Sequence, residues 1–385
     1  MTSRSNVIYV PSLRLKKGEL DGLRALRVDV ADCIMPLLIV PPRKERASDS
    51  QEELFPPGEG IPDVGGILSK WWPRRPTFVD PSALFKEYGT EKAGQWLPGL
   101  FKRARNLDVI AIPVASLADL EKIGASAFRD ALSESHRLKF GLRIQSGEMA
   151  DLKVNERIQT VLSNIGVTAA DCAVFADFTD AELADPSLVA PIIRSSLEHL
   201  QAFGRWQLIV FQGTHYPEKN PAAPGQTFTH PRNEWQAWKE AVQFDPSTAE
   251  HMPFGDFAAD CARMDFGGHG ARPIPHCRYS TESHWLVVRG SDTGSTYDVM
   301  KDVFKRVIGS EQFSGPTFSE ADAYIHAVAC GNSDRAGNAT TWRQLNTTHH
   351  ITRVVADIAK VRGIPITELP SSPTGAQLTL VDETS

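Results

Sequence analysis

Eight short apolar segments recur along the 385-residue chain at intervals of about thirty to forty residues. They begin near Val7, Met35, Thr77, Asp108, Lys139, Ala173, Trp206 and Met252. Most are separated by a stretch with the apolar spacing of an amphipathic helix. The segments are continuously apolar, which is typical of parallel strands covered by helices. Eight strand–helix units close a parallel barrel, so the sequence predicts an α/β fold, a (β/α)8 TIM-like barrel. A doubly wound open sheet is the alternative, but it has fewer strands and a Gly-rich first turn that this chain lacks.

The pattern changes after the eighth segment. Residues 277–280 and 284–289 flank a few polar residues, which predicts a hairpin. Helical spacing follows at 297–308, at 319–329 and at about 350–361. We therefore predict, in chain order, a barrel over 1–310 with an insertion at 43–75, a C-terminal helical extension over 311–369, and a flexible tail over 370–385.

Composition excludes several classes of protein. The net charge is −6, so no global basic field draws the chain to nucleic acid or to an anionic membrane. No apolar segment approaches the roughly twenty residues that span a bilayer. The residues before Val7 are polar, and the five cysteines include no CxxC pair, as expected of reduced core thiols. These features predict a cytoplasmic protein that does not bind membranes.

Active sites of parallel barrels lie at the C-terminal ends of the strands. Polar residues expected there are Arg14, Asp80, Arg143, Gln145, Asp177, Gln212, His215, Asp256 and Asp260. Asp177 interrupts an apolar segment, and a buried carboxylate needs a partner or a metal ion. It is therefore a candidate general base or metal ligand, or else a cap of the next helix. Arg143 also interrupts a strand, and it could clamp a phosphate or pair with Asp177.

The candidate catalytic residues are Asp177, Asp256 and His215. Asp256 could be a further acidic group or could end its strand in an Asx turn, and His215 could titrate near neutral pH or be a loop histidine. The candidate substrate-binding residues are Arg143, Gln145, Gln212, Arg278, Arg343 and His349. Metal ligands are left open, although a divalent ion would suit the carboxylates. The adjacent His349 and His350 cannot both face one metal ion from a regular helix or strand.

Several segments together carry a family resemblance. They are residues 8–11, 17–19 and 34–42, Gly255-Asp256, Arg278-Tyr279 with Trp285 and Arg289-Gly290, and Trp342-Arg343 with His349-His350. Over most of its length the chain resembles the phage "beta protein" family. The resemblance implies a protein carried by phages, prophages or mobile defence-type loci. It brings no established reaction, so no catalytic residue follows from it.

Two functions remain open. The first is a hydrolase of a phosphate-containing substrate, nucleic acid or nucleotide, with a metal-assisted phosphodiesterase or nuclease-like reaction. Asp177 and Asp256 would hold a metal ion or act as bases, and Arg143 and Arg278 would bind the phosphate. The second is a non-catalytic binding protein in phage–host conflict, with a phage or host protein as partner. Its contact surfaces would be the long insertion with Trp71–Trp72 and the Trp235/Trp238 pair. Trp71–Trp72 could equally lie under the insertion as a small local core. If Arg143, Asp177, Asp256 and Arg278 share one pocket, the hydrolase is favoured. If they pair off as isolated structural bridges that face helices, the hydrolase hypothesis fails.

Overall fold

The computed structural model describes residues 7–47, 51–55, 60–243, 252–262 and 273–367. The predicted tail at 370–385 lies outside these residues, as do parts of the predicted insertion. The strands are β1 (Ser12–Arg14), β2 (Leu37–Ile39), β3 (Thr77–Asp80), β4 (Ala111–Ser116), β5 (Phe140–Gln145), β6 (Cys172–Asp177), β7 (Leu208–Gln212), β8 (Thr227–Pro231), β9 (Phe254–Gly255), β10 (His276–Ser280) and β11 (His284–Arg289).

The helices surround the strands. They are α1 (Lys17–Arg24), α2 (Val28–Ala31), α3 (Arg43–Arg46), α4 (Val64–Trp71), α5 (Ser82–Tyr88), α6 (Ala93–Arg105), α7 (Leu117–Lys122), α8 (Ala125–Arg129), α9 (Ser146–Met149), α10 (Val154–Ile165), α11 (Pro186–Phe203), α12 (Asn233–Val242), α13 (Thr296–Ile308), α14 (Glu320–Cys330) and α15 (Ala339–Arg362). Among the described residues, no helix is both long enough and apolar enough to cross a bilayer.

Eight parallel strands form a barrel, which confirms the predicted TIM-like fold. The hydrogen-bonded order is β1 to β7 followed by β9. The sheet closes on itself because the backbone N–H of Val10 donates to the carbonyl of Phe254 at 2.8 Å, and that of Ser12 donates to the carbonyl of Asp256 at 2.7 Å. The first strand lies a few residues later than predicted, although Tyr9 already forms parallel bridges on both sides.

The barrel interior has an apolar lower part and a polar mouth. Alternate residues of a strand face the same side, and the interior cluster includes Val10, Phe78, Phe175 and Val210. The residues that face the interior two or four positions later in the chain are polar: they are Arg14, Asp80, Asp177 and Gln212. Strand β5 contributes Arg143 and Gln145 to the same polar layer. The strand alternation therefore converts a packed core into a ring of polar groups at the C-terminal mouth.

The second sheet contains β10, β11 and β8 in that order, all antiparallel. Its β10–β11 hairpin confirms the prediction. The sequence did not predict β8, because this strand is polar and half-exposed rather than apolar. The sheet packs with α13, α14 and the start of α15 in a second hydrophobic cluster that begins at Cys277, which lies well before the domain boundary predicted after residue 310.

Helix α15 joins the two cores. It is longer than the predicted helix, because Asn338 caps it by accepting the N–H groups of Thr340 and Thr341 at 3.0 and 3.1 Å. Trp342 packs in the second cluster, whereas Ile351 packs in the barrel core. Its close contact with α1 depends on Gly22, where a Cβ would lie 2.9 Å from the Thr347 Cβ. The helix therefore fixes the second sheet to the barrel.

The four tryptophans expected at a contact surface are buried. Their exposed fractions are 4% for Trp71, 2% for Trp72, 1% for Trp235 and 0% for Trp238. The first two end α4, a helix inside the predicted insertion that packs against α1 and α6. The other two lie on α12 and contact the ring of Phe254 on β9. The prediction that they form contact surfaces is wrong, because each completes the packing of the barrel's outer layer.

Candidate active site at the barrel mouth

A cleft of about 480 Å³ opens at the C-terminal mouth of the barrel. The ionisable groups that line it are Asp80, Asp119, Asp177, Lys86, Lys122 and Arg143. The strand ends of β3, β5 and β6 supply one group each, and the helices that follow β3 and β4 supply the rest. Three carboxylates and three cations balance in formal charge, so the cleft can accept an anion without a net repulsive lining.

Arg143 lies between two carboxylates on the floor of this cleft. Its Nη1 donates to Asp80 Oδ2 at 2.5 Å, and its Nε lies 3.6 Å from Asp177 Oδ2. Burial disfavours the charge on Arg143, but the two carboxylates outweigh burial and raise its pKa. Its Nη2 makes no hydrogen bond to a described residue. The guanidinium is thus held in a fixed orientation and keeps one edge for a ligand.

Asp177 is a buried carboxylate at the end of β6. Its Oδ1 accepts hydrogen bonds from the Thr179 backbone N–H at 3.0 Å and from the Thr179 hydroxyl at 2.6 Å. Burial raises the pKa of Asp177, and Arg143 and Thr179 only partly oppose this. The Oδ2 atom faces Arg143 across the cleft. A carboxylate with a raised pKa that lines a cleft is a candidate for proton transfer.

A second charged group at the mouth is the Asp260 cluster, which consists of Asp260, Arg14, Arg278 and Arg343. The Asp260 carboxylate lies 2.8 Å from Arg278 Nη1, 2.8 Å from Arg343 Nη1 and 3.3 Å from Arg14 Nη1. Burial disfavours the charge on Asp260, but the three guanidiniums outweigh burial and hold its pKa far below the usual range. Arg278 and Arg343, predicted to bind substrate, therefore meet at one carboxylate.

Asp256 does not line the cleft. It has the same parity as Phe254, so its side chain points away from the barrel axis. It accepts the Tyr9 hydroxyl at 2.5 Å and lies 2.8 Å from His350 Nε2, and His350 Nδ1 lies 2.7 Å from the Ser280 hydroxyl. Burial lowers the pKa of His350, against the opposing charge of Asp256, and the two ring nitrogens link Asp256 to Ser280. This is a Ser–His–Asp sequence of hydrogen bonds, but Ser280 is fully buried.

The remaining predicted site residues occupy separate positions. Gln145 lines the cleft, whereas Gln212 is buried in the mouth and accepts the Ser12 hydroxyl at 3.0 Å. His215 stacks on His230 and its pKa is lowered by burial. His349 is buried away from the cleft, with Nδ1 3.0 Å from Asp322 and Nε2 2.8 Å from the Ser280 carbonyl.

The four residues proposed to share one pocket are thus divided. Arg143 and Asp177 share the cleft, Arg278 belongs to the Asp260 cluster, and Asp256 is buried on the outer side of β9. Sequence reasoning missed Asp119, Lys86 and Lys122. The signal for Asp119 is Ser116, which ends β4 and accepts the Asp119 N–H as a helix cap at 3.0 Å. Within the described residues, no group of three or more His, Cys, Asp or Glu side chains is arranged to hold a metal ion.

Glu234 provides a test of the buried charges behind the mouth. The Arg232 Nε is 4.0 Å away and the His215 N–H donates to Glu234 at 3.2 Å. Burial raises the pKa of Glu234 from 4.5 to about 7. The folded state therefore binds this proton more tightly than the unfolded state does. The contribution of Glu234 to stability is greatest below pH 4.5 and is lost as the pH rises through about 7.

We expect Glu234→Gln to remove this dependence. The difference in unfolding free energy between the variant and the wild type should grow in favour of the variant by about 3 kcal/mol between pH 4.5 and pH 8. Urea denaturation at several pH values measures it. Glu134→Gln, at an exposed position, is the control. A pH-independent difference for Glu234→Gln would contradict the raised pKa.

Comparison with known proteins identifies one family. A family model described as Beta protein matches residues 9–356. The matched range begins at the barrel closure and ends within α15, so it includes the cleft, the Asp260 cluster and the second sheet. No curated protein matches the sequence significantly.

Proposed function

The chain belongs to the Beta protein family, and we propose that it is a hydrolase that acts on a phosphate-containing substrate at the C-terminal mouth of its barrel. The observation that carries the proposal is Arg143, fixed between Asp80 and Asp177 on the floor of a cleft of about 480 Å³. A fixed guanidinium beside a carboxylate of raised pKa combines phosphate binding with proton transfer. Family membership supports a phage, prophage or defence-locus setting for this activity.

The roles follow from the geometry. The free edge of Arg143 binds a phosphate oxygen and stabilises the charge that develops there. Asp177 accepts a proton from a water molecule while the oxygen of that water forms a bond to phosphorus. The P–O bond to the leaving group breaks, and the proton passes to the departing oxygen or to solvent. Nucleotide or nucleic acid remains the proposed substrate class.

The binding-protein alternative loses its main support. It required Trp71, Trp72, Trp235 and Trp238 at the surface, and all four are buried. Aromatic side chains contribute to an interface only where a partner can reach them. The mouth cleft therefore remains the feature on which a function is best founded.

Hydrolysis of two chromogenic esters tests the proposal. We expect release of p-nitrophenol from bis(p-nitrophenyl) phosphate or p-nitrophenyl phosphate, measured with EDTA, Mg²⁺ or Mn²⁺. Arg143→Gln should lower turnover by about 10²–10³-fold, as loss of one electrostatic contact to a transition state does. Arg157→Gln, which also removes an arginine paired with carboxylates, is the control. No release under any condition, together with no thermal shift by inorganic phosphate, would contradict the proposal.

A further inference from the structure

The Asp260 cluster is assembled from four distant parts of the chain. Arg14 ends β1, Asp260 follows β9, Arg278 lies on β10 and Arg343 lies on α15. It therefore sits where the barrel closes and where the second sheet meets the mouth. Residues on both sides of Asp260, Phe257 and Ala262, line the catalytic cleft. Loops at this end of such barrels are a common position for phosphate binding.

Among the described residues of the cluster, cations outnumber carboxylates. Three guanidiniums lie within 3.3 Å of Asp260, and Glu19 lies 4.0 Å from Arg343 Nη1. Glu19 is itself buried, which raises its pKa. The pKa of the neighbouring His276 is lowered to about 3, mainly by burial and further by the positive charge of Arg278 and Arg343. Asp260 and Glu19 thus position Arg278 and Arg343 at the mouth.

Two buried donors beside Asp260 lack partners among the described residues. They are Arg278 Nε and the Tyr216 hydroxyl. Tyr216 is only 4% exposed, and its ring centre lies 4.8 Å from the Arg278 guanidinium carbon. A buried donor without an acceptor is costly, and a bound anion would satisfy it. The cluster therefore has both the charge and the free donors of an anion site.

The side chains of the cluster are unequally exposed. The exposed fractions of the side chains are 7% for Arg14, 13% for Arg278 and 27% for Arg343, so access increases toward α15. An internal phosphate of a nucleic-acid chain has nucleotides on both sides, so its binding site needs an open groove. A terminal phosphate needs access from one side only.

We propose that the Asp260 cluster binds a terminal phosphate of the substrate. The substrate is then the end of an oligonucleotide. Its terminal phosphate anchors it at the Asp260 cluster, and the adjacent phosphodiester lies at Arg143 and Asp177. This inference rests on the proposed function for the second half of that statement, but the anchoring of the phosphate is testable without turnover. The guanidiniums of Arg278 and Arg343 can act as bidentate donors to the oxygens of a phosphate.

Binding of thymidine dinucleotides to the Asp177→Asn variant tests the anchor, because this variant should not consume the ligand. Isothermal titration would compare 5′-phosphorylated, 3′-phosphorylated and unphosphorylated dithymidylate, with inorganic phosphate as a further ligand. We expect one phosphorylated form to bind at least about tenfold more tightly than the unphosphorylated form. Adding Arg343→Gln should remove most of this preference, and Arg343→Lys should restore part of it.

Arg306→Gln is the matched control. Arg306 is 25% exposed and pairs with Asp302 on α13, so its loss removes an arginine of similar exposure outside the mouth. It should leave the preference unchanged. Equal affinity for all three dinucleotides, a preference that survives Arg343→Gln, or no binding of any ligand would overturn the inference. If the wild type still hydrolyses the chromogenic esters in that case, the inference about the anchor is rejected and the proposed hydrolase is retained. A preference lost with Arg343 but without any hydrolysis would retain the anchor and reject the hydrolase.

Discussion

Replacing Asp177 with asparagine is expected to lower the turnover of a phosphodiester by about 10²–10⁴-fold, the contribution typical of a general base. The asparagine oxygen can still accept the two hydrogen bonds from Thr179, so the local fold should be retained. The amide cannot accept the proton of the attacking water. Steady-state hydrolysis of bis(p-nitrophenyl) phosphate measures the loss, and it should appear in kcat more than in KM.

Asp119→Asn is the matched control for this substitution. Asp119 lines the same cleft and accepts the Ser116 hydroxyl at 2.7 Å, but it is not paired with Arg143. Its replacement should change turnover far less. Equal losses in the two variants would mean that the cleft responds only to its total charge, and an unchanged rate in Asp177→Asn would reject the assigned base.

Replacing Asp256 with alanine is expected to destabilise the protein by about 3–5 kcal/mol, because several buried donors would each lose their acceptor. Asp256 is 1% exposed and receives hydrogen bonds from Tyr9, His350 and the backbone of Ala258. All three donors would be left buried without an acceptor. Because the network ties β9 to Ser280 and to α15, its loss should separate the barrel from the second sheet, and urea denaturation with fluorescence detection measures the change.

The control is Asp292→Ala, which removes a 60% exposed partner of Arg289 and should cost less than about 1 kcal/mol. The sequence identified Asp256 as a catalytic candidate, whereas its position supports a structural role. Asp256→Asn should therefore retain most of the turnover in the fraction that is folded. If Asp256→Asn folds normally but loses as much turnover as Asp177→Asn, Asp256 has a catalytic role.

The barrel was predictable because its signal is local and repeated. Each strand is a short apolar segment, and each strand end is marked by the first polar residue that follows. That rule correctly identified Arg143 and Asp177 as neighbours at the mouth. It failed for β8, because Thr227–Pro231 contains no apolar run and forms the largely exposed edge of a small sheet.

The position of Asp256 shows what strand ends alone do not reveal. Asp177 follows Phe175 at a spacing of two and shares its inward direction, but Asp256 shares the outward direction of Phe254. Side-chain parity decides this, and a one-residue change in the strand register reverses it. Because β9 is only two residues long, the sequence gives no alternation from which parity could be read.

The Asp260 cluster depends on tertiary structure. Its members come from β1, the loop after β9, β10 and α15, and no spacing along the chain links Arg14 to Arg343. Composition also hid it, because a local excess of arginine is compatible with a net charge of −6. Only the closure of the barrel against the second sheet brings these guanidiniums to one carboxylate.

The most direct test of the account is the crystal structure of the Asp177→Asn variant with the phosphorylated dithymidylate that it binds more tightly. We expect the terminal phosphate to lie within hydrogen-bonding distance of Arg278 and Arg343, and the internal phosphate to lie at the free edge of Arg143. A dinucleotide bound elsewhere, or bound at the mouth with its terminal phosphate in solvent, would contradict it.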